Sequence, residues 1–107
     1  MVLTTVLHIF LLFSQQACSP PSTVNEITGE VDGALIYKNY CKSCHGPKGN
    51  RGLSNAADLS TSKLPQDSIR HIILYGTDNG MSAYKAVISK EEDLDALVKH
   101  VKSLQKD

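Results

Sequence analysis

Residues 41–45 read Cys-Lys-Ser-Cys-His, and this stretch decides how the rest of the chain is interpreted. The Cys-x-x-Cys-His spacing is typical of covalent attachment of a c-type haem. On the first turn of a helix, Cys41 and Cys44 can each form a thioether bond to one vinyl group of the porphyrin. The next residue, His45, can then supply a ring nitrogen to the iron. The sequence therefore predicts one covalently bound haem c.

Composition also favours a buried cofactor. The chain has 107 residues, no tryptophan and two phenylalanines, both of which lie in the N-terminal run. A domain this small buries a limited share of its surface, so a core of tyrosines and aliphatic residues alone would be thin. A porphyrin would supply the missing apolar mass. Basic and acidic residues number 11 each, so the charge gives no reason to expect a nucleic-acid partner.

The N-terminal segment, residues 1–17, is predicted to be a signal peptide. Residues 1–13 are nearly all apolar but too few to span a bilayer, which suits the apolar region of a signal peptide. The lysine or arginine that usually begins such a peptide is absent. Ala17-Cys18 resembles a bacterial lipoprotein processing site, at which Cys18 would become the lipidated first residue. The alternative is cleavage near Ala17 without lipidation. Residues 18–30 contain two prolines and are predicted to be a flexible tether. We therefore expect an extracytoplasmic protein on the periplasmic side, anchored to a membrane by lipid.

Residues 31–107 are predicted to form one all-α domain of three to four short helices joined by glycine-rich loops. Asp32 can cap a first helix that runs into the haem motif. A second helix is expected from Asp67 or Ser68 to Tyr75, closed by Gly76. Residues 53–66 are expected to be irregular, with Leu59 and Leu64 as buried anchors.

The last helix has the clearest predicted start, because Ser-Lys-Glu-Glu at residues 89–92 reads as a capping box. Apolar residues then recur at helical spacing and form one stripe. This stripe consists of Leu94, Leu97, Val98, Val101 and Leu104.

Met81 is the only methionine apart from the initiator, and it follows a loop that ends in glycine. A thioether is a soft ligand that suits ferrous haem and raises its reduction potential. The alternative is that Met81 merely fills the core. Its position behind the Cys-x-x-Cys-His motif favours an axial ligand. With His45 and Met81 both bound, the iron would have no site for substrate and would transfer electrons only.

Residues 31–105 resemble class I cytochrome c, the family of small monohaem electron carriers. Gly33 and Tyr37 stand eight and four places before Cys41, as in the first helix of that family. The resemblance continues through Gly46, Asp58-Leu59, Met81-Ser82-Ala83-Tyr84 and the last helix. It implies the cytochrome c fold, a monomer that exchanges electrons with redox proteins, and no enzymatic activity. It also implies that the first and last helices cross where Gly33 and Tyr37 meet Leu97 and the surroundings of His100.

The resemblance extends to further haem contacts. Leu59 and Tyr84 are expected at the haem, and Arg51 could donate hydrogen bonds to a propionate. A solvated loop arginine is an equal alternative for Arg51. Two positions depart from the family: Ser82 stands where proline often follows the methionine, and His100 stands where the last helix often has an aromatic residue.

Other functions stay open at this point. The protein could be a haem enzyme or gas-binding sensor with a displaceable Met81, or a cytochrome subunit of a larger oxidoreductase complex. A thiol or zinc module built on Cys41 and Cys44 is a third class. As rival ligands, His71 is expected to be exposed on its helix and His100 to pack beside the apolar stripe.

Overall fold

The computed structural model describes residues 17–107, so the predicted signal peptide lies outside the described residues except for Ala17. Within this range, the only β pairing is an isolated bridge between Val24 and Val31. The prediction of an all-α domain is therefore confirmed. The elements are α1 (Gly33–Tyr40), α2 (Lys42–His45), a short 3₁₀ turn (Leu53–Asn55), α3 (Gln66–Tyr75) and α4 (Glu91–Leu104).

Among the described elements, α1 and α4 make the most extensive helix–helix contact. A Cβ atom added to Gly33 would overlap the carbonyl oxygen of Ala96 and lie 3.2 Å from His100 Cβ. One turn later, the rings of Tyr37 and His100 pack with centroids 4.9 Å apart. The predicted crossing of the first and last helices is confirmed, with the Ala96 backbone as the contact of Gly33.

The core lies under this crossing. The predicted stripe on α4 is buried, apart from Leu104, which is partly buried against it. Burying one such aliphatic side chain stabilises the fold by about 1.5–3 kcal/mol. The stripe packs with residues of α1, of α3 and of the turn before α4, namely Ile36, Tyr37, Ile69, Ile73 and Ile88.

The start of α1 and the end of α3 match their predictions. Asp32 Oδ1 accepts hydrogen bonds from the backbone N–H groups of Ala34 (2.9 Å) and Leu35 (3.1 Å). These bonds favour the charged carboxylate, and the bond from Leu35 is the main cause of the lowered pKa of Asp32. At the end of α3, Gly76 adopts a positive φ of 72°, a conformation that favours glycine.

The predicted capping box of α4 is wrong. The helix begins at Glu91, its N-cap residue is Lys90, and no side chain caps it. The preceding turn explains the shift: Ile88 donates its N–H to Tyr84 O (2.9 Å) and buries its side chain, which leaves Ser89 outside the helix. The acids of the first turn complement the helix dipole instead, and Glu91 also pairs with Arg70 of α3 at 2.6 Å.

The flexible tether predicted for residues 18–30 is too long. Asn25 and Gly29 close a turn through Gly29 N–H to Asn25 O (2.8 Å), and Asp32 N–H donates to Thr23 O (2.9 Å). The side chain of Asn39, on the last turn of α1, donates to Ser22 O (3.1 Å). These bonds attach residues 22–31 to the folded domain, so a flexible tether remains a prediction only for the exposed residues 18–21.

The two anchors expected in residues 53–66 differ from each other. Leu59 is partly buried against the core, as predicted. Leu64 is 42% exposed, so its prediction as a buried anchor is wrong. Both residues line the cleft described below, and the Leu64 side chain lies at a part of its lining that is exposed to solvent.

Candidate haem-binding cleft

A cleft of about 340 Å³ opens between α2, the 3₁₀ turn, α3 and the segment that follows α3. Its lining, drawn from residues 17–107, contains no aspartate, glutamate, lysine or arginine. Six of the seven residues predicted to bind the cofactor line it: Cys41, Cys44, His45, Leu59, Met81 and Tyr84. The seventh, Arg51, is exposed and outside the lining, and its backbone N–H donates to His45 O (2.9 Å).

The haem motif reaches the cleft because α2 is a single helical turn. Cys41 ends α1 with its N–H donated to Tyr37 O (2.8 Å), and its own carbonyl accepts from His45 N–H (3.0 Å). Gly46 then leaves the helix with a φ of 78°, and an added Cβ would lie 2.7 Å from Arg51 Cβ. The local backbone therefore places both cysteines and the histidine at one wall.

Tyr37 fixes this wall to α1. Its hydroxyl donates to Gly46 O (2.6 Å), and its side chain is almost fully buried. Burial raises the pKa of Tyr37 to about 12, so the phenol stays protonated and remains a donor. The predicted first-helix tyrosine thus holds the residue that follows the haem motif.

The orientation of His45 is set by a residue that the sequence analysis missed. His45 Nδ1 lies 3.0 Å from Ala57 O. A carbonyl oxygen can only accept, so the proton is on Nδ1 and the lone pair of Nε2 is left for a metal. Nothing in the residue type of Ala57 signals this role. Its neighbours Asp58 and Leu59, identified by resemblance, are the nearest sequence signal.

The segment after Ala57 is folded by its own hydrogen bonds. Asp58 Oδ1 accepts from the backbone N–H (2.9 Å) and the hydroxyl (2.6 Å) of Ser60, and the hydroxyl bond is the main cause of the lowered pKa of Asp58. Leu59 N–H donates to Gly49 O (2.8 Å), which ties the segment to the glycine loop. Asp58 therefore has a structural role, and Leu59 is held at the cleft.

A separate part of the chain brings Met81 and Tyr84 to the same cleft. Tyr84 N–H donates to Ile73 O (2.9 Å), and its hydroxyl donates to Tyr40 O (3.3 Å). The rings of Tyr40 and Tyr84 meet edge to face at 6.1 Å. Desolvation by burial raises the pKa of Tyr84. These contacts join the end of residues 77–84, the methionine segment, to both α3 and α1.

The two rival histidines lie outside the cleft lining. His71 is exposed on α3, as predicted, with its ring 4.8 Å from that of Tyr75. His100 packs against Tyr37, as predicted, and burial is the main reason that its pKa is lowered.

The donor set of the cleft fits a c-type haem. Two thiols, one imidazole and one thioether are present in a cleft lined by no aspartate, glutamate, lysine or arginine. Burial raises the pKa of the Cys41 thiol to about 12, so the unmodified polypeptide carries it protonated. The fold and this cleft define a small c-type cytochrome, whose cofactor is covalently bound haem c and whose general function is haem-based electron transfer.

Comparison with known proteins agrees with this class. A family model described as cytochrome c oxidase, cbb3-type, subunit III matches residues 30–101. The match includes α1, α2, α3 and most of α4, and the chain belongs to this family. A solved structure described as KustC0563 c-type cytochrome is 28% identical in sequence, with a TM-score of 0.61 over 71% of this chain and 100% of that chain. Comparison with curated proteins gives no match.

Proposed function

We propose that the protein is a one-electron carrier in which His45 and Met81 are the two axial ligands of the haem iron. One observation carries this proposal: a single uncharged cleft contains Met81 together with a histidine whose Nδ1 is already bonded to Ala57 O. A histidine and a methionine together occupy both axial positions and raise the reduction potential of the haem.

In this proposal each residue of the cleft has a defined task. The bound haem would supply reversible one-electron chemistry between ferric and ferrous iron. Cys41 and Cys44 would hold it covalently, and the Ala57 carbonyl would accept a hydrogen bond from Nδ1 of His45, which leaves Nε2 as the nitrogen that would bind the iron. Leu59 and Tyr84 would exclude water from its faces. Arg51 is exposed, so a propionate contact for it stays a prediction.

Spectra of the purified holoprotein test the ligand assignment. We expect a c-type α band in the reduced form and a weak sulfur-to-iron band in the oxidised form. Replacing Met81 with alanine should abolish the weak band and allow rapid carbon monoxide binding, whereas replacing the exposed Ser89, which lies outside the cleft lining, with alanine should change neither. A high-spin ferric spectrum of the wild type, or rapid carbon monoxide binding by it, would favour the haem enzyme or gas sensor instead.

We further propose that lipid on Cys18 anchors the protein to a membrane. Cys18 is exposed, and c-type cytochromes are generally extracytoplasmic. No helix within residues 17–107 is long and apolar enough to cross a bilayer. Only residues 19–21 separate Cys18 from Ser22, which Asn39 holds at the end of α1. This linker reaches at most about 14 Å, so an anchored domain would sit close to the bilayer with the end of α1 toward it.

Metabolic labelling with a radioactive fatty acid tests the anchor. Wild-type protein should incorporate label and sediment with membranes, and Cys18→Ala should do neither. An unlabelled, soluble wild-type protein would refute the anchor without affecting the haem proposal.

Redox proteins are the partners that a haem carrier requires, and two arrangements are compatible with it. The matching family is described as a subunit of an oxidase, which supports a place in a larger oxidoreductase complex. The resemblance to class I cytochrome c supports a free monomer. Mild solubilisation of native membranes distinguishes the two, because a subunit should co-migrate with its complex and a free carrier should migrate as a monomer.

A further inference from the structure

The methionine segment turns back sharply onto the end of α3. Tyr75 ends the helix, and Gly76 follows with its N–H donated to Ile72 O (2.7 Å). A Cβ added to Gly76 would overlap the carbonyl oxygen of Met81 and lie 2.9 Å from the carbonyl carbon of Ser82. The chain therefore leaves α3 at Gly76 and passes directly over it again at residues 81–83.

Thr77 closes the loop between these two passes. Its N–H donates to Met81 O (3.0 Å), and its Oγ1 accepts from Met81 N–H (3.3 Å). Its own carbonyl accepts from Gly80 N–H (3.3 Å). Both backbone polar groups of Met81 therefore bond to one residue, and the hydroxyl of Thr77 supplies one of the two bonds.

The chain after Met81 lacks comparable restraints. Of the hydrogen bonds within residues 17–107, none involves the backbone of Ser82 or Ala83. A proline at position 82 would fix its own φ and restrict the backbone of Met81 before it, but this chain has Ser82. The next restraint is at Tyr84, whose N–H donates to Ile73 O (2.9 Å).

We propose that Thr77 is the positioning residue for Met81. Its two hydrogen bonds hold the methionine backbone and so take the role that a proline at position 82 would otherwise have. This inference rests on the proposed axial role of Met81. Thr77 does not bind the iron in this proposal; it sets how strongly Met81 competes with other ligands for the axial position.

Imidazole binding to the ferric holoprotein tests the proposal. Thr77→Val keeps the β-branched shape and the backbone N–H but removes Oγ1. A lost hydrogen bond of about 1 kcal/mol corresponds to roughly fivefold tighter imidazole binding, and the sulfur-to-iron band should weaken in parallel. Thr77→Ser retains the hydroxyl and should bind imidazole within about twofold of the wild type, on the same scale.

Thr28→Val is the matched control. Thr28 Oγ1 also accepts a backbone N–H bond of 3.3 Å, from Glu30, and lies outside the cleft lining. Imidazole affinity in this variant should equal that of the wild type. Equal affinity in Thr77→Val and Thr28→Val would overturn the proposal.

Hydrogen exchange in the wild-type protein provides a test that does not depend on variant folding. The amide of Met81 should be protected, and the amides of Ser82 and Ala83 should exchange quickly. A rapidly exchanging Met81 amide would overturn the proposal. If the wild type lacks a sulfur-to-iron band altogether, the axial role of Met81 fails instead, and that outcome is separate from unchanged binding in Thr77→Val.

Discussion

The two sides of the haem cleft are built in different ways. On the attachment side, Cys41, Cys44 and His45 lie within one helical turn, and the almost fully buried Tyr37 holds Gly46 behind them. On the methionine side, residues 77–80 are exposed, and the loop is held mainly by Thr77 and by the fit of Gly76. The attachment side thus shares the core, whereas the methionine side depends on a few tertiary contacts. We therefore expect mutations on the first side to reduce global stability and mutations on the second to change the ligation state.

The largest effect is expected at the helix crossing that supports the attachment side. In Gly33→Val the new side chain would overlap the Ala96 carbonyl, so α1 and α4 would have to separate. We expect a loss of about 3 kcal/mol or more in the free energy of unfolding, measured by denaturant titration of the holoprotein. Ala34→Val, at the next and exposed position of α1, should cost well under about 1 kcal/mol. Similar stability in both variants would contradict a tight crossing.

A smaller effect on stability, with a large effect on ligation, is expected for Gly76→Ala. Alanine there has to adopt a positive φ and overlaps Met81 O. We expect destabilisation of about 1–2 kcal/mol and loss of the sulfur-to-iron band while the haem stays attached.

Gly29→Ala is the control for Gly76→Ala. Gly29 has the same φ of 72° but no atom within 4 Å of an added Cβ. This variant should show the backbone cost alone, with an unchanged spectrum. A weakened band in Gly29→Ala would mean that ligation is sensitive to any loss of stability, and the contrast between the two sides would fail.

Tyr37→Phe should show the opposite pattern. The substitution removes the 2.6 Å bond from the hydroxyl to Gly46 O and leaves this buried carbonyl with only the longer bond from Gly49 N–H (3.2 Å). We expect a loss of about 1–2 kcal/mol in the free energy of unfolding, with the sulfur-to-iron band retained. Tyr75→Phe, at a tyrosine that is 53% exposed, is the matched control and should leave stability unchanged.

The smallest effect concerns pH. Burial lowers the pKa of His100 below its ordinary value of 6.5, although the charge of Asp32 partly offsets this. The unfolded chain therefore binds this proton at higher pH than the folded one. The contribution of His100 to stability should be complete above pH 6.5 and decrease as the pH falls from 6.5 toward the folded pKa.

Urea unfolding between pH 5 and pH 7.5 measures this dependence. His100→Phe should flatten the slope of stability against pH in that window, and it should retain the packing against Tyr37. His71→Gln, at an exposed histidine, should leave the slope as in the wild type. An unchanged slope in His100→Phe would assign the pH dependence to other groups.

Several features could be predicted from sequence because their signals are local. The Asp32 cap, the end of α3 at Gly76 and the apolar stripe of α4 each depend on residues within a few positions of one another. The capping box failed because the turn that buries Ile88 leaves Ser89 outside the helix, which a four-residue pattern does not reveal. The tether failed because Ser22 and Thr23 bond to Asn39 and Asp32, and polar composition alone does not identify such partners.

By itself the sequence determined the class of cofactor, because a pair of cysteines and a histidine are spaced for a covalent haem, and it offered Met81 as the proposed second ligand. The reason is that covalent spacing is a property of neighbouring residues. Only the tertiary structure decided which backbone orients that chemistry. The Ala57 carbonyl bonds to His45, and Thr77 exchanges two hydrogen bonds with Met81. These contacts form because the backbone folds back on itself, and residue types alone do not predict where it does so.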